Sequence, residues 1–253
     1  MKGSYLLRGG AASTLEPDLD NANGGIEMKE LMSFFVTEDG GLTTWGYVLF
    51  IALAVIALAV AVFFVRGKGE KQSSLSIKRL AFCSMSLALA FALSFAKIIP
   101  APFGGSATLC SMLFVTLVGY WYGAKTGLLV AFVYSILQFL QGPYVLSPFQ
   151  VCCDYLLAFT CLGLSGFFSN RKNGLLIGYI VSIVGRAIFH TLGGYLYWMD
   201  YMPEDFPAAL SWAYPIIYNF SYILIEGIIT VIIISIPAVK SAIAKVGKTA
   251  RDN

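Results

Sequence analysis

The chain has 253 residues, of which 58% are hydrophobic and 12% are charged, and its mean hydropathy is +0.75. Too few charges remain to cover a water-exposed surface or to neutralise a phosphate backbone, so the composition disfavours a soluble enzyme, a nucleic-acid-binding protein and a disordered scaffold. The sequence therefore indicates an integral membrane protein, and its net charge of +3 says less about partners than the positions of the charges do.

The first predicted element is an uncharged run from Trp45 to Val65, which is long enough to span a bilayer because about 20 apolar residues cross its hydrocarbon core. Six further apolar runs follow: Leu80 to Ile99, Ala107 to Tyr122, Thr126 to Leu140, Phe149 to Phe168, Leu175 to Trp198 and Trp212 to Pro237. We predict helices for all of them because open sheets leave backbone groups unsatisfied in lipid. The predicted fold class is an all-α integral membrane protein, in which one extra N-terminal transmembrane helix precedes a six-helix bundle.

Lysine and arginine residues indicate the orientation of these helices. Twelve of the 17 lie on one side, in alternate connections and the C-terminal tail, whereas the opposite loops, 100–106, 141–148 and 200–211, contain none. Because cytoplasmic loops carry the excess of Lys and Arg, we expect both ends of the six-helix unit to lie in the cytoplasm. The predicted location is the cell membrane, with multiple spans and the N-terminal tail outside.

This topology divides the chain into five segments. Residues 1–44 are expected to form a flexible extracellular tail, 45–65 a retained transmembrane helix rather than a signal peptide, and 66–79 a cytoplasmic linker. Residues 80–239 form the predicted six-helix ligand-binding membrane domain, and 240–253 a basic cytoplasmic tail.

Polar residues inside the predicted spans are functional candidates, because burial in a bilayer disfavours them. At a rise of 1.5 Å per residue, Asp154 lies about 7 Å and Asn219 about 10 Å below the outer ends of their helices, and His190 about 22 Å above a cytoplasmic end. We therefore expect the three side chains to meet in one layer near the outside. Alternatively, Asp154 is an acid at the start of a helix and His190 is a packing residue.

Aromatic residues accompany this polar layer. His190, Gly194 and Trp198 recur every four residues and form one helical stripe. Tyr214 and Tyr218 repeat that spacing on the last helix. A carboxylate among aromatic rings suits a cation, and amide, phenol and imidazole groups can select a planar heterocycle. We predict a pocket for a small, aromatic, positively charged ligand; an aromatic belt at the membrane interface is the alternative.

Arg186 and Glu226 are two further ionisable residues inside the predicted bundle. We favour a structural ion pair between them over a proton relay, and carbonyl groups of broken backbone are the other possible partners of Arg186.

Catalytic motifs are missing from the sequence. It contains one histidine and neither Gly-x-Ser-x-Gly nor His-Glu-x-x-His, and its cysteines lack metal-ligand spacing, so we expect no enzyme activity, no metal site and no cofactor. Active transport would then need a partner ATPase or an ion gradient. Ser84, Ala88 and Ala92 form a small-residue stripe that predicts close helix packing, either inside the bundle or against another membrane subunit.

Several spaced motifs occur in order along the six-helix unit. They are Gly104-Gly105-Ser106, Pro148-Phe149-Gln150, Asp154-Tyr155-Leu156-Leu157-Ala158-Phe159, Gly163 to Gly166, Arg186 with His190 and Gly194, and Tyr214 with Tyr218-Asn219. Together they resemble the thiamine transporter family, whose members include the thiamine-specific S components of energy-coupling factor (ECF) transporters. The resemblance covers roughly residues 78 to 240.

The resemblance implies a six-helix subunit that binds thiamine from outside with high affinity and passes it inward. It implies that the vitamin contacts the residues at the family's binding positions: Asp154, Tyr155, His190, Trp198, Tyr214 and Asn219. Further candidate contacts are Gly105, Ser106, Gln150, Gly194 and Tyr134. Some members have Glu at the place of Asp154, Trp at that of Tyr134 and a Trp in the first outer loop, which this chain lacks.

The partners that the resemblance implies are a transmembrane coupling subunit and two cytoplasmic ATPases, through which alone ATP would act. Ser84 and Ala88 stand at positions similar to the family's small-residue docking motif. Two rival hypotheses remain: a stand-alone proton-coupled thiamine symporter that uses Arg186, His190 and Glu226, and a membrane enzyme or binding protein for another cationic heterocycle.

Overall fold

The structure is a computed structural model that describes residues 33–38, 40–65, 77–101 and 105–252. Within these ranges the main helices are α1 (Thr44–Val65), α2 (Ile77–Ser94), α3 (Ser111–Tyr122), α4 (Ala124–Gln141), α5 (Pro148–Phe168), α6 (Gly174–Tyr197), α7 (Tyr214–Ser235) and α8 (Pro237–Arg251). Most of the predicted linker 66–79, most of the predicted tail 1–44, and Gly104 of the first motif lie outside the described residues.

The helices have the length and apolarity of a membrane protein. Five helical segments of the described chain are long and apolar enough to cross a bilayer: Ile77–Ser94, Ala124–Gln141, Pro148–Phe168, Gly174–Tyr197 and Ala208–Ser235. They confirm the predicted all-α membrane fold, whereas the number of spans stays a prediction. The helix α3, with 12 residues, is only about 18 Å long at 1.5 Å per residue.

A short antiparallel hairpin separates α2 from α3. The helix α2 ends at Ser94, and strands β1 (Lys97–Pro100) and β2 (Ser106–Thr108) pair before α3 begins. The prediction of helix up to Ile99 and again from Ala107 is therefore wrong. Ile99 precedes a proline, which disfavours the helical conformation, and a short apolar run by itself does not distinguish a strand from a helix.

The helix α5 changes its pitch along its length. It begins at Pro148 as an α-helix, and the Ser147 hydroxyl caps it by accepting a hydrogen bond from the backbone N–H of Gln150 at 3.1 Å. Residues Cys152–Leu157 then form a π-helix, and Cys161–Phe168 form a 3-10 helix. A π-turn adds a residue to a helical turn and so changes the directions in which side chains point.

Glycines bring α5 close to its neighbours. A β-carbon at Gly163 would lie 2.5 Å from backbone atoms of Gly127 and Leu128, and one at Gly127 would lie 2.6 Å from the backbone of Gly119. Such close approach of small residues is typical of helix packing in membranes. It holds the C-terminal half of α5 against α3 and α4.

The small-residue stripe lies on the outer surface of α2. Ser84, Ala88 and Ala92 are exposed, whereas Ser86 and Ala90 of the same helix are buried. The hypothesis that this stripe packs inside the bundle is therefore wrong for the described part of the chain. Docking against a partner stays a prediction.

The helix α8 occupies most of the predicted tail 240–253. It begins at Pro237, and near its end the carbonyl oxygen of Ala250 accepts a hydrogen bond from the Tyr122 hydroxyl at 3.0 Å. Its buried face packs on α3, and its basic residues are exposed on the other faces: Lys240, Lys245, Lys248 and Arg251. The basic tail is thus an amphipathic helix that belongs to the bundle.

Candidate ligand-binding site

A cavity of about 570 Å³ lies between the hairpin, the loop 142–147 and the helices α5, α6 and α7. Ten of the eleven predicted ligand contacts line it: Gly105, Ser106, Gln150, Asp154, Tyr155, His190, Gly194, Trp198, Tyr214 and Asn219. The eleventh, Tyr134, is 1% exposed and packs behind the lining, with its ring centroid 5.7 Å from that of Phe159. Residues that are distant in the sequence thus meet at one cavity, while their role as ligand contacts stays a prediction.

The carboxylate of Asp154 faces this cavity. Its Oδ2 atom accepts hydrogen bonds from Gln150 Nε2 at 2.9 Å and from Trp198 Nε1 at 3.0 Å, and its Oδ1 atom lies 3.6 Å from His190 Nδ1. The residue lies on the π-helix more than one turn after Pro148, so it is not an acid at the start of α5. Its neighbours fix the orientation of the carboxylate group and leave it directed at the cavity.

Gly193 on α6 makes room for this carboxylate. A β-carbon at that position would lie 2.4 Å from Asp154 Oδ1, well inside van der Waals contact. Gly194 is the point where α6 meets α7, since a β-carbon there would lie 2.7 Å from Pro215 Cβ. Gly193 therefore determines where the acid can sit, and Gly194 determines how closely the two helices pack.

His190 is held between Asp154 and Arg186. The Nε–H group of Arg186 donates to His190 Nε2 at 3.3 Å, so Nδ1 carries the hydrogen that faces the carboxylate of Asp154. The guanidinium group of Arg186 lies 4.4 Å from the centroid of the Phe159 ring, a cation–π contact. These contacts orient the imidazole ring and form a polar chain from α6 to α5.

The predicted ion pair between Arg186 and Glu226 is wrong for the described residues. The Glu226 carboxylate is 1% exposed and accepts hydrogen bonds from the backbone N–H groups of Thr108 and Met112, at 2.9 and 3.2 Å, and from the hydroxyl groups of Thr108 and Ser111, at 2.7 and 3.2 Å. The first turn of a helix carries unpaired N–H groups, which favour a carboxylate. Glu226 therefore anchors the hairpin and the start of α3 to α7.

Aromatic rings line two sides of the cavity. On one side, the ring centroid of Trp198 lies 5.2 Å from that of Tyr144 and 5.1 Å from that of Tyr201. On the other side, the rings of Tyr214 and Tyr218 are 5.9 Å apart. Ring faces next to a carboxylate create an environment that favours a flat cation.

Asn219 connects α7 to α6. Its Nδ2 atom donates to the carbonyl oxygens of His190, at 3.2 Å, and Pro215, at 2.9 Å, and its Oδ1 atom accepts from the Tyr222 hydroxyl at 2.8 Å. The side chain thus fixes the turn of α6 that carries the imidazole. Its edge also reaches the cavity lining.

Polar residues between α2 and α4 extend the cavity beyond the predicted set. Ser94 Oγ donates to Gln141 Oε1 at 2.9 Å, Gln138 Nε2 donates to Ser94 Oγ at 3.0 Å, and Lys97 lines the same end. The sequence does carry a signal for part of this cluster. Gln138 lies in the predicted apolar run and Gln141 directly follows it, and two amides three residues apart share a helix face if the helix continues to Gln141. Tyr144 was missed as well, since a loop aromatic has no periodicity that would reveal its direction.

Residues 80–245 match the model of a protein family described as "Thiamine transporter protein (Thia_YuaJ)". The chain belongs to the thiamine transporter family. This is a family of transport proteins, so membership agrees with the expectation that the chain is not an enzyme, and with the apolar helices it indicates a membrane-embedded protein.

Two similar proteins are each named thiamine transporter ThiT. The protein from Bacillus subtilis (strain 168) is 28% identical over 147 residues, which cover 53% of this chain and 74% of that protein. The protein from Lacticaseibacillus paracasei is 26% identical over 145 residues, which cover 51% of this chain and 69% of that protein. A solved structure of ThiT from Listeria monocytogenes aligns with a TM-score of 0.51 and 25% identity, over 63% of this chain and 94% of the other. The thiamine transporter fold thus occupies the part of the chain that holds the cavity.

Proposed function

We propose that the protein takes up thiamine and binds it in the cavity that Asp154 faces. The observation that carries this proposal is the oriented carboxylate of Asp154, which Gln150 and Trp198 hold within an aromatic enclosure. The thiazolium ring of thiamine is a permanent cation, and its aminopyrimidine ring offers hydrogen-bond donors and acceptors. Charge pairing, ring faces and directional polar groups are the three features that such a ligand requires.

The size of the cavity supports the same ligand class. A volume of about 570 Å³ falls within the roughly 300–1,000 Å³ typical of sites for small molecules. Family membership and the names of the two similar proteins point to the same vitamin.

Titration of the purified protein with thiamine, followed by tryptophan fluorescence, tests this proposal. Trp198 lines the cavity, so we expect saturable quenching in the nanomolar range. Deazathiamine, a neutral analogue of nearly identical shape, is the matched control and should bind much more weakly because it lacks the cation. Unsaturable quenching, or equal affinity for the two compounds, would contradict a site built around the charge of Asp154.

We further propose that the protein is the S component of an ECF transporter and works with a transmembrane coupling subunit and two cytoplasmic ATPases. The exposed stripe of Ser84, Ala88 and Ala92 supports a docking face, because small residues allow close approach of a second helix. The engagement of Glu226 by the hairpin disfavours the rival relay through Arg186, His190 and Glu226.

Reconstitution in liposomes separates the two mechanisms. We expect the chain alone, under an imposed proton gradient, to show no sustained concentrative uptake of thiamine. Addition of the coupling subunit, the ATPases and ATP should produce concentrative uptake of thiamine. Concentrative uptake by the chain alone with a proton gradient would establish the symporter and contradict the proposed ECF partnership.

A further inference from the structure

A segment before the family match contacts loop 142–147, which lines the cavity. We call the described residues between 36 and 50 the brace. Val36 and Leu42 form an antiparallel bridge around a turn, and the Gly40 carbonyl oxygen at that turn accepts a hydrogen bond from the Val145 backbone N–H at 2.7 Å. Gly40 has a φ of +81°, and a β-carbon there would lie 3.1 Å from the ring of Tyr144. The turn therefore rests directly on loop 142–147.

The helical part of the brace contacts the support of the same loop. The ring centroid of Phe50 lies 4.0 Å from that of Phe139 on α4, and Phe139 in turn contacts Tyr155 at 4.8 Å. These side chains belong to a small apolar cluster of Val36, Leu42, Phe50, Phe139, Val145, Val151 and Tyr155. The turn of the brace thus contacts loop 142–147 directly, and its helix contacts Phe139 on α4, which packs beneath that loop.

The loop connects the brace to the ligand-facing wall. The Tyr155 hydroxyl donates to the Gly142 carbonyl oxygen and accepts from the Tyr144 backbone N–H, both at 3.1 Å. The Tyr144 ring then contacts Trp198, and its hydroxyl lies 3.2 Å from that of Tyr201. Since Trp198 donates to Asp154, a continuous series of contacts joins the brace to the carboxylate.

We propose that the brace is a positioning element that holds loop 142–147, and with it Tyr144, against Trp198, and thereby slows the release of the ligand. The family match begins at residue 80, so the brace adds an external support to the shared fold. Preorganised walls reduce the ordering cost of binding, and differences of affinity between related sites arise mostly in the dissociation rate. The proposal rests on thiamine binding as the proposed function.

Stopped-flow measurement of thiamine release from the full-length protein tests the brace. We expect Phe50→Ala to raise the dissociation rate about tenfold and to leave the association rate nearly unchanged, because affinity differences among variants of one site lie mostly in the dissociation rate. Phe50→Leu, which keeps an apolar contact, should release thiamine at a rate close to that of the wild type. Leu53→Ala, an exposed position on the same helix, is the matched control and should behave like the wild type.

Two further measurements make the test independent of a single variant and of the ligand. Gly40→Ala, which places a methyl group against Tyr144 at a positive φ, should speed release in the same direction even if Phe50→Ala fails to fold. Hydrogen–deuterium exchange without thiamine should show faster exchange of the Val145 amide in both brace variants, because its partner is the Gly40 carbonyl.

The outcomes separate the two proposals. Wild-type release rates in Phe50→Ala and Gly40→Ala, or an equal acceleration in Leu53→Ala, would overturn the brace while thiamine binding stands. A wild-type protein that binds no thiamine would overturn the proposed function and, with it, the role of the brace in release.

Discussion

Asp154 is the one acidic side chain among the described residues that line the cavity. Asp154→Asn removes its charge and keeps its size, so we expect thiamine binding to weaken by about 2–5 kcal/mol, the usual cost of removing one partner of a desolvated charge pair. Calorimetric titration measures the change, with the exposed Asp205→Asn as the control. A change of only a few tenths of a kcal/mol would show that the Asp154 carboxylate does not pair with the ligand.

Gly193 gives a second test at the scale of one residue. Gly193→Ala would place a β-carbon 2.4 Å from Asp154 Oδ1 and displace the carboxylate group. We expect thiamine affinity to fall at least tenfold, or about 1.4 kcal/mol, with little loss of helical content by circular dichroism. Leu192→Ala, at the exposed neighbouring position, should bind normally. Wild-type affinity in Gly193→Ala would show that the carboxylate does not need this space.

Glu226 should matter for stability rather than for proton transfer. Glu226→Gln replaces an acceptor of four hydrogen bonds by a group that also brings its own donors, so we expect a loss of roughly 1–3 kcal/mol of stability. Thermal unfolding in detergent measures it, and the exposed Glu204→Gln should leave the melting temperature unchanged. Unchanged stability with abolished uptake would favour the proton relay instead.

The sequence predicts the depth of a polar residue in the membrane better than it predicts which groups that residue bonds to. The pattern of charges shows where each helix ends, and the constant rise per residue then gives the depth of any residue on it. This is why the meeting of Asp154, His190 and Asn219 could be predicted. The partner of Glu226 could not be predicted in the same way. It depends on which backbone groups a hairpin and a helix start present more than 100 residues earlier, and those elements have no signal in hydropathy.

At the scale of elements, the exposed stripe of α2 can be tested as the docking face for the coupling subunit. Ala88→Leu adds bulk to a surface that we expect a coupling subunit to approach closely. ATP-driven uptake in liposomes that contain all subunits should fall about tenfold, while the thiamine affinity of the isolated protein stays unchanged. Leu89→Ile, which is exposed on the same helix and lies about 100° around it from Ala88, is the control. Full uptake in Ala88→Leu would place the docking face elsewhere.

Apolar runs predict helices but not their interruptions. The boundaries of α4 and α6 agree with the predicted runs to within a few residues because those helices are long and uniformly apolar. The hairpin was missed because a strand of four residues resembles the end of an apolar helix. The π-helix Cys152–Leu157 was missed because its pitch follows from packing against neighbouring helices rather than from its own composition.

For the whole molecule, the distribution of Lys and Arg predicts an orientation that labelling can test. Glu204→Cys lies in a loop expected outside, and Thr249→Cys lies on α8, expected in the cytoplasm. A membrane-impermeant maleimide should label Glu204→Cys in intact cells and Thr249→Cys only after permeabilisation. The wild type, with its five native cysteines, gives the background. The reverse pattern would invert the proposed topology.

The anchoring of Glu226 also has a consequence for biosynthesis. The amide and hydroxyl groups at Thr108 leave the ribosome 118 residues before the carboxylate that they bind. Until α7 is inserted, this part of the nascent chain must keep its donors hydrated or shielded by the insertion machinery, because hydrocarbon offers them no acceptor. The cavity that we propose binds thiamine is therefore completed late in translation, and a product truncated before α7 would leave a polar defect that membrane quality control can recognise.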